Sequence, residues 1–114
     1  MSDSDAELLH RYAREASEPA FAALVERHLN LVYSVARRIV RSPQLAEDIA
    51  QSVFADLAQN APRVPADTPL VAWPHVVARR TAIDTVRREV RRRARESAVA
   101  LTLDVMKSDS PSPP

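Results

Sequence analysis

The sequence predicts an all-α fold, a compact bundle of about four helices, and three observations carry that expectation. Apolar residues recur at helical spacing in four consecutive windows, and no stretch alternates in the manner of a strand. Prolines stand directly behind Glu18 and Ser42, where a proline in the first turn starts a helix without losing a hydrogen bond. Glycine is absent from all 114 residues, which disfavours hairpin-rich β architecture and excludes glycine-rich phosphate loops.

The first helix is expected over residues 5–16, with Leu8, Leu9 and Tyr12 on one side. The second starts at Glu18-Pro19 and places Phe21, Leu24, Val25, Val32, Val35, Ala36 and Ile39 at helical period. The third runs from Ser42-Pro43 to about Asn60, with Leu45, Ile49, Val53 and Leu57 as its buried stripe. Only about two residues separate these two helices, so they should be antiparallel neighbours. A proline-rich loop follows over residues 61–69. The fourth helix either begins near Trp73 or is bent there, because Pro74 is tolerated only in a first turn. Beyond about Ala98 the pattern fails. The expected organisation is an N-terminal helix (1–18), a helical domain (19–98) and a linker with a disordered tail (99–114), Ser108 to Pro114 reading as the tail itself.

Hydrophobic residues make up 46% of the chain, enough for one small core. Net charge is only +1, but it is unevenly placed. Residues 1–60 hold six arginines against nine acids, whereas residues 61–100 hold nine arginines against four. An acidic half followed by a basic half suggests two partners, or one partner and one structural role. There is no cysteine, so disulfides and thiolate metal sites are excluded. The polar, acidic N-terminus does not read as a signal peptide, and no apolar run reaches membrane-spanning length, which fits a cytoplasmic location without a membrane partner. His10, His28 and His75 lack ligand spacing, and His28 reads as a hydrogen-bonded core residue. Glu47 and Asp48 are sequence neighbours and point apart on a helix, a poor acid/base pair. No nucleophile, base and orienter come together, so neither an enzyme nor a cofactor is expected.

The fourth helix is the most informative element. At 100° per residue Val76, Ile83, Val86 and Val90 fall on one face, which predicts the packing seam. Arg80, Arg87, Arg88, Arg91 and Arg95 fall on the adjoining flank, with Asp84 among them. Cations along one helix face are the electrostatic footprint of a nucleic-acid binder. The plainer reading is a solvated face with local ion pairs such as Asp84–Arg88, worth about 0.2–0.5 kcal/mol. Trp73 is either a core residue or a half-buried platform on which a base stacks. Arg80 suits a guanine edge or a phosphate equally. On the third helix Asp48 and Gln51 lie opposite the apolar stripe with Glu47 beside them, a wet face or a dock for a basic helix.

The order of these pieces resembles region 2 of bacterial sigma factors of the extracytoplasmic-function group. Residues 20–28 (AFAALVERH) look like the group's opening helix. Residues 46–54 (AEDIAQSVF) are similar to region 2.2, and Ala72-Trp73, Val77-Ala78-Arg79-Arg80 and Ile83-Asp84 with the following arginines look like regions 2.3 and 2.4. The match spans residues 19 to 96. It departs from the group's pattern at Ser52, Leu70, Pro74 and Arg80. The resemblance implies docking on the β′ clamp helices of core RNA polymerase through Glu47, Asp48, Gln51 and Ser52. It implies binding of the minus-ten promoter element, and of the melted non-template strand, through Trp73, Arg79, Arg80, Asp84, Arg87, Arg88, Arg91 and Arg95. The segment from Arg63 to Thr68 corresponds to the one that receives an extruded base. An anti-sigma factor is a further implied partner. The group's second DNA-binding unit, region 4, has no counterpart here, which suggests a fragment. The rival expectation is a helical module that binds a regulator and ignores DNA.

Overall fold

The computed structural model describes residues 3–65 and 68–108. Four α-helices follow one another: α1 (Asp5–Glu15), α2 (Glu18–Ile39), α3 (Pro43–Asn60) and α4 (Trp73–Ser108), with a single 3-10 turn (Ala61–Arg63) after α3. The local code sets most boundaries. The Ser4 hydroxyl accepts from the Glu7 N–H at 3.1 Å while the Ser4 N–H donates to the Glu7 carboxylate, a reciprocal cap. Ser17 and Ser42 cap α2 and α3, each followed by proline in the first turn. Ala16 ends α1 in the left-handed region at φ 52°, a position glycine usually takes. Pro74 lies in the first turn of α4, so the helix begins at Trp73 and needs no bend there.

Helix α2 is central and packs against α1, α3 and α4. Two apolar clusters result. The larger joins Val32, Val35 and Ala36 of α2 to Ile49, Val53 and Phe54 of α3 and to Ala78 and Ala82 of α4. The smaller joins Leu8 and Leu9 of α1 to Ala20 and Leu24 of α2, Ala61 and Leu70. Phe21 and Trp73 touch both. Fully burying a side chain such as Leu24 or Val53 contributes about 1.5–3 kcal/mol.

Two expectations for α4 are corrected. Its seam is not the valine row: Val76 and Val90 are exposed, and only Ile83 and Val86 are partly covered. The residues that join the α2–α3 cluster are Ala78 and Ala82, with Trp73, Val77 and Val86 partly buried against it and Pro74 buried in the first turn. The fully buried centre of this seam is alanine, with valines only at its partly covered edges. The helix also does not stop near Ala98 but continues to Ser108, so residues 99–108 are helical. The rest of the expected tail, 109–114, lies outside the described residues. From Val90 onward every residue whose side chain is described is exposed, and α4 projects from the bundle. The molecule therefore measures 85 × 25 × 20 Å, with a radius of gyration of 21.4 Å.

Candidate nucleic-acid and partner interface

The arginine flank survives folding. Arg79, Arg80, Arg87, Arg88, Arg91 and Arg95 are all exposed, and among the described residues no ion pair or side-chain hydrogen bond engages them. The expected Asp84–Arg88 pair does not form. The ion pairs of α4 lie elsewhere on the helix. Glu89 receives Arg92 through two hydrogen bonds, Nη2 to Oε1 at 2.6 Å and Nε to Oε2 at 3.2 Å, and Arg93 Nε at 3.3 Å. Arg92 also reaches Glu96 Oε1 at 3.3 Å. The hydrogen bond from Arg92, aided by both positive charges, holds the Glu89 carboxyl below its ordinary value. Within the run of residues 91–93, two guanidiniums are thus neutralised by the helix itself and Arg91 is left uncompensated.

Helices α3 and α4 enclose a recess of about 550 Å³ lined by Ser52, Asp56, Thr81, Asp84, Arg87, Arg88 and Arg91. Its two carboxylates make no ion pair. The polar, mixed lining offers both donors and acceptors to a ligand edge, while the guanidiniums beyond it offer charge and donors but no acceptor. Arg80 is exposed outside this recess. Arg63 is remote in a different sense: it sits on the 3-10 turn and faces α1.

Trp73 is half-buried and belongs to the core. Its ring meets Phe54 edge-on at 6.0 Å and 87°, and His28 at 5.7 Å and 65°. Its indole N–H is buried without a hydrogen-bond partner. His28 is in turn tied to Asp5 at 2.8 Å, and the same carboxylate takes Arg27 at 3.1 Å. The hydrogen bond expected for His28 is present and links α1 to α2, but the residue is partly buried at the edge of the core rather than within it.

The four candidate partner residues of α3 are exposed but divided. Glu47 and Gln51 line a groove of about 580 Å³ against α2, whose apolar walls are Val25, Leu29, Tyr33 and Phe54. Ser52 faces the α4 recess, and Asp48 accepts from Gln44 Nε2 at 3.3 Å. Leu29 and Tyr33 were not singled out as site residues. Leu29, 43% exposed, is the clue that this part of α2 has an outer apolar edge. Among the described residues no helix is long and apolar enough to cross a membrane, and no cluster of three or more His, Asp or Glu could hold a metal ion.

A family model for sigma-70 region 2 matches residues 24–92. A protein named ECF RNA polymerase sigma factor SigK, from Mycobacterium sp. strain KMS, is 34% identical over 98 residues, 82% of this chain and 49% of its own length. A SigK from Mycolicibacterium vanbaalenii is 33% identical over 91 residues, covering 79% of this chain and 46% of its own length. RNA polymerase sigma factor CarQ of Myxococcus xanthus is 30% identical over 76 residues, covering 67% and 44%. The chain spans about half the length of these curated relatives. No solved structure gives a significant match. The matched segment runs from the middle of α2 through α3 and the loop to the arginine flank of α4, so the helices that build the interface are those the family shares: the chain belongs to the sigma-70 region 2 family.

Proposed function

We propose that this domain serves transcription initiation in the cytoplasm, without catalysis or cofactor of its own, by joining core RNA polymerase to promoter DNA and holding the melted non-template strand of the minus-ten element. The observation that carries the reading is the uncompensated row Arg80, Arg87, Arg88, Arg91 and Arg95 on α4. Opening DNA costs a few kcal/mol for each unstacked base, and only contacts made to the open strand offset that cost. Phosphate contacts from this row release counterions and supply such a term. Arg79 stands beside the row. Asp84 and Ser52 add polar groups in the α3–α4 recess, where base edges need donors and acceptors. Trp73, being packed, sets the angle of α4 rather than stacking a base broadside. Residues 19–98 form the region 2 unit in this reading.

The groove between α2 and α3, with Glu47 and Gln51 on its rim and apolar walls beneath, suits an amphipathic basic helix such as a β′ clamp helix. The same apolar lining favours a second reading, an anti-sigma factor as occupant. A domain that binds only such a protein would ignore DNA at every salt concentration.

The test is fluorescence titration of labelled single-stranded minus-ten DNA across a salt series. Affinity falls steeply with salt in the wild type. The double variant R80A/R87A flattens the slope of log K against log salt by about 1.4, two contacts at about 0.7 each for a single strand. An unchanged slope removes these arginines from the interface.

A further inference from the structure

Asp5 of α1 makes a link that neither the arginine row nor the α2–α3 groove uses. Its carboxylate faces two residues of α2: Oδ2 accepts from His28 Nε2 at 2.8 Å, and Oδ1 accepts from Arg27 Nη1 at 3.1 Å. A carboxylate only accepts, so the His28 nitrogen that faces it carries the proton. An acid in the first turn complements the helix dipole, which accounts for Asp5 standing at the head of α1. It does not account for both oxygens being spent on α2, 22 and 23 residues further along the chain.

Magnitudes decide what the link does. Helix α1 has 11 residues, too few to be stable alone, and burial of Leu8 and Leu9 holds it to the bundle. A partly exposed ion pair adds little to that burial. What the link fixes is orientation, because a carboxylate anchored at both oxygens holds the imidazole ring in place. That ring meets Trp73 near edge-on at 5.7 Å and 65°, and Trp73 meets Phe54 of α3 at 6.0 Å and 87°. Asp5, His28, Trp73 and Phe54 therefore run in contact from α1 through α2 and α4 to α3. Trp73 is the first residue of α4. Among the described residues no hydrogen bond fixes its indole, so ring contacts and packing set its position.

We infer that Asp5 and His28 are positioning residues for the strand-binding helix: they hold the Trp73 ring, and through it the head of α4, at the angle that presents the arginine row. The inference rests on the strand-binding reading above and adds to it α1, which precedes the residues 24–92 matched by the family model. Neither residue touches the strand, so their loss weakens binding without removing a phosphate contact.

The chain has one tryptophan, so its fluorescence reports Trp73 alone. The experiment compares wild type, D5A, H28L and R27Q as whole chains, by acrylamide quenching of that fluorescence and by titration of a labelled oligothymidylate across a salt series. D5A and H28L are expected to change the quenching and to lower strand affinity about 3–10-fold at every salt concentration. The slope of log K against log salt stays at the wild-type value, and so does helical circular dichroism. H28L keeps Asp5 at the head of α1 and so carries the test if D5A loosens that helix. R27Q leaves His28 on Asp5 and is expected to match wild type in both measurements. Wild-type affinity in D5A and H28L overturns the inference and leaves the function standing, whatever happens to their melting temperatures. A reduced slope in H28L overturns it by placing His28 on a phosphate, and a change in R27Q as large as in H28L overturns it by showing general loosening of α1. Absence of strand binding by the wild type overturns both the function and the inference.

Discussion

The two ends of α4 belong to one unbroken helix yet meet opposite surroundings. From Trp73 to Val86 the helix lies in the bundle, with Ala78 and Ala82 fully buried against α2 and α3. Beyond Val90 nothing covers it: Leu101 is 65% exposed, and Val99, Leu103 and Met106 stand out with it. The residues that are buried are the small ones, and many of the large apolar residues are bare. Hydrophobicity read position by position does not say which face is inside; the shape of the neighbouring helices does. The arginine row bridges the two regimes. Arg80 is carried by the packed half, and Arg91 and Arg95 by the projecting half, so folding fixes the position of the first far better than that of the last.

The contrast is broken most severely at its head. Trp73→Ala should cost about 3–5 kcal/mol, since it empties the contact between both apolar clusters. Trp73→Phe keeps the edge-on contacts and removes the unpartnered N–H, and should cost much less. Urea unfolding of the two variants measures the difference, and equal losses would show that the indole N–H is satisfied in solution. Next comes the seam. Ala82→Leu adds volume at a fully buried position and should destabilise by about 1–3 kcal/mol. Leu103→Ala removes more apolar surface from the bare half, yet should shift stability by no more than about 0.5 kcal/mol. A loss at Leu103 as large as that at Ala82 would mean that the projecting half is covered in solution.

The smallest effect is electrostatic. Arg92 and Arg93 hold the Glu89 carboxyl below its ordinary value of 4.5, so these pairs support the helix fully above that value. Their support is lost as pH falls through the lowered one. Carbon chemical shifts of residues 89–96 should report weakening helicity only in that acid range, with Glu89→Gln abolishing the pH dependence. A shift already complete at neutral pH would exclude Glu89 as its source.

Helix starts were readable because they are written locally. Serine caps followed by proline fix the starts of α2 and α3 through hydrogen bonds three residues long. The apolar stripes of α1, α2 and α3 were readable too, since Leu9, Leu24, Val32 and Val53 are both strongly apolar and buried. The valine seam of α4 was misread because β-branched residues dominate a wheel whose contact face is set by alanine. Exposure of the cationic flank was foreseen; the pairing of Arg92 and Arg93, which stand off that flank, with Glu89 was not, although Glu89 lies three and four residues before them, a spacing that brings such side chains together on a helix. The division of Glu47 and Gln51 from Ser52 was likewise invisible, because one exposed face of α3 borders two different neighbours.

By itself the sequence determined where the helices begin, which charges they carry and which family order they follow, because caps, period and motif spacing act over a few residues. Only the tertiary structure decided which side of α4 is inside, which arginines remain uncompensated, and that Asp5 meets His28 and Arg27. The packing outcomes depend on side chains far apart in the chain competing for the same space, while the counter-charges of Arg92 and Arg93 come from within one turn of α4.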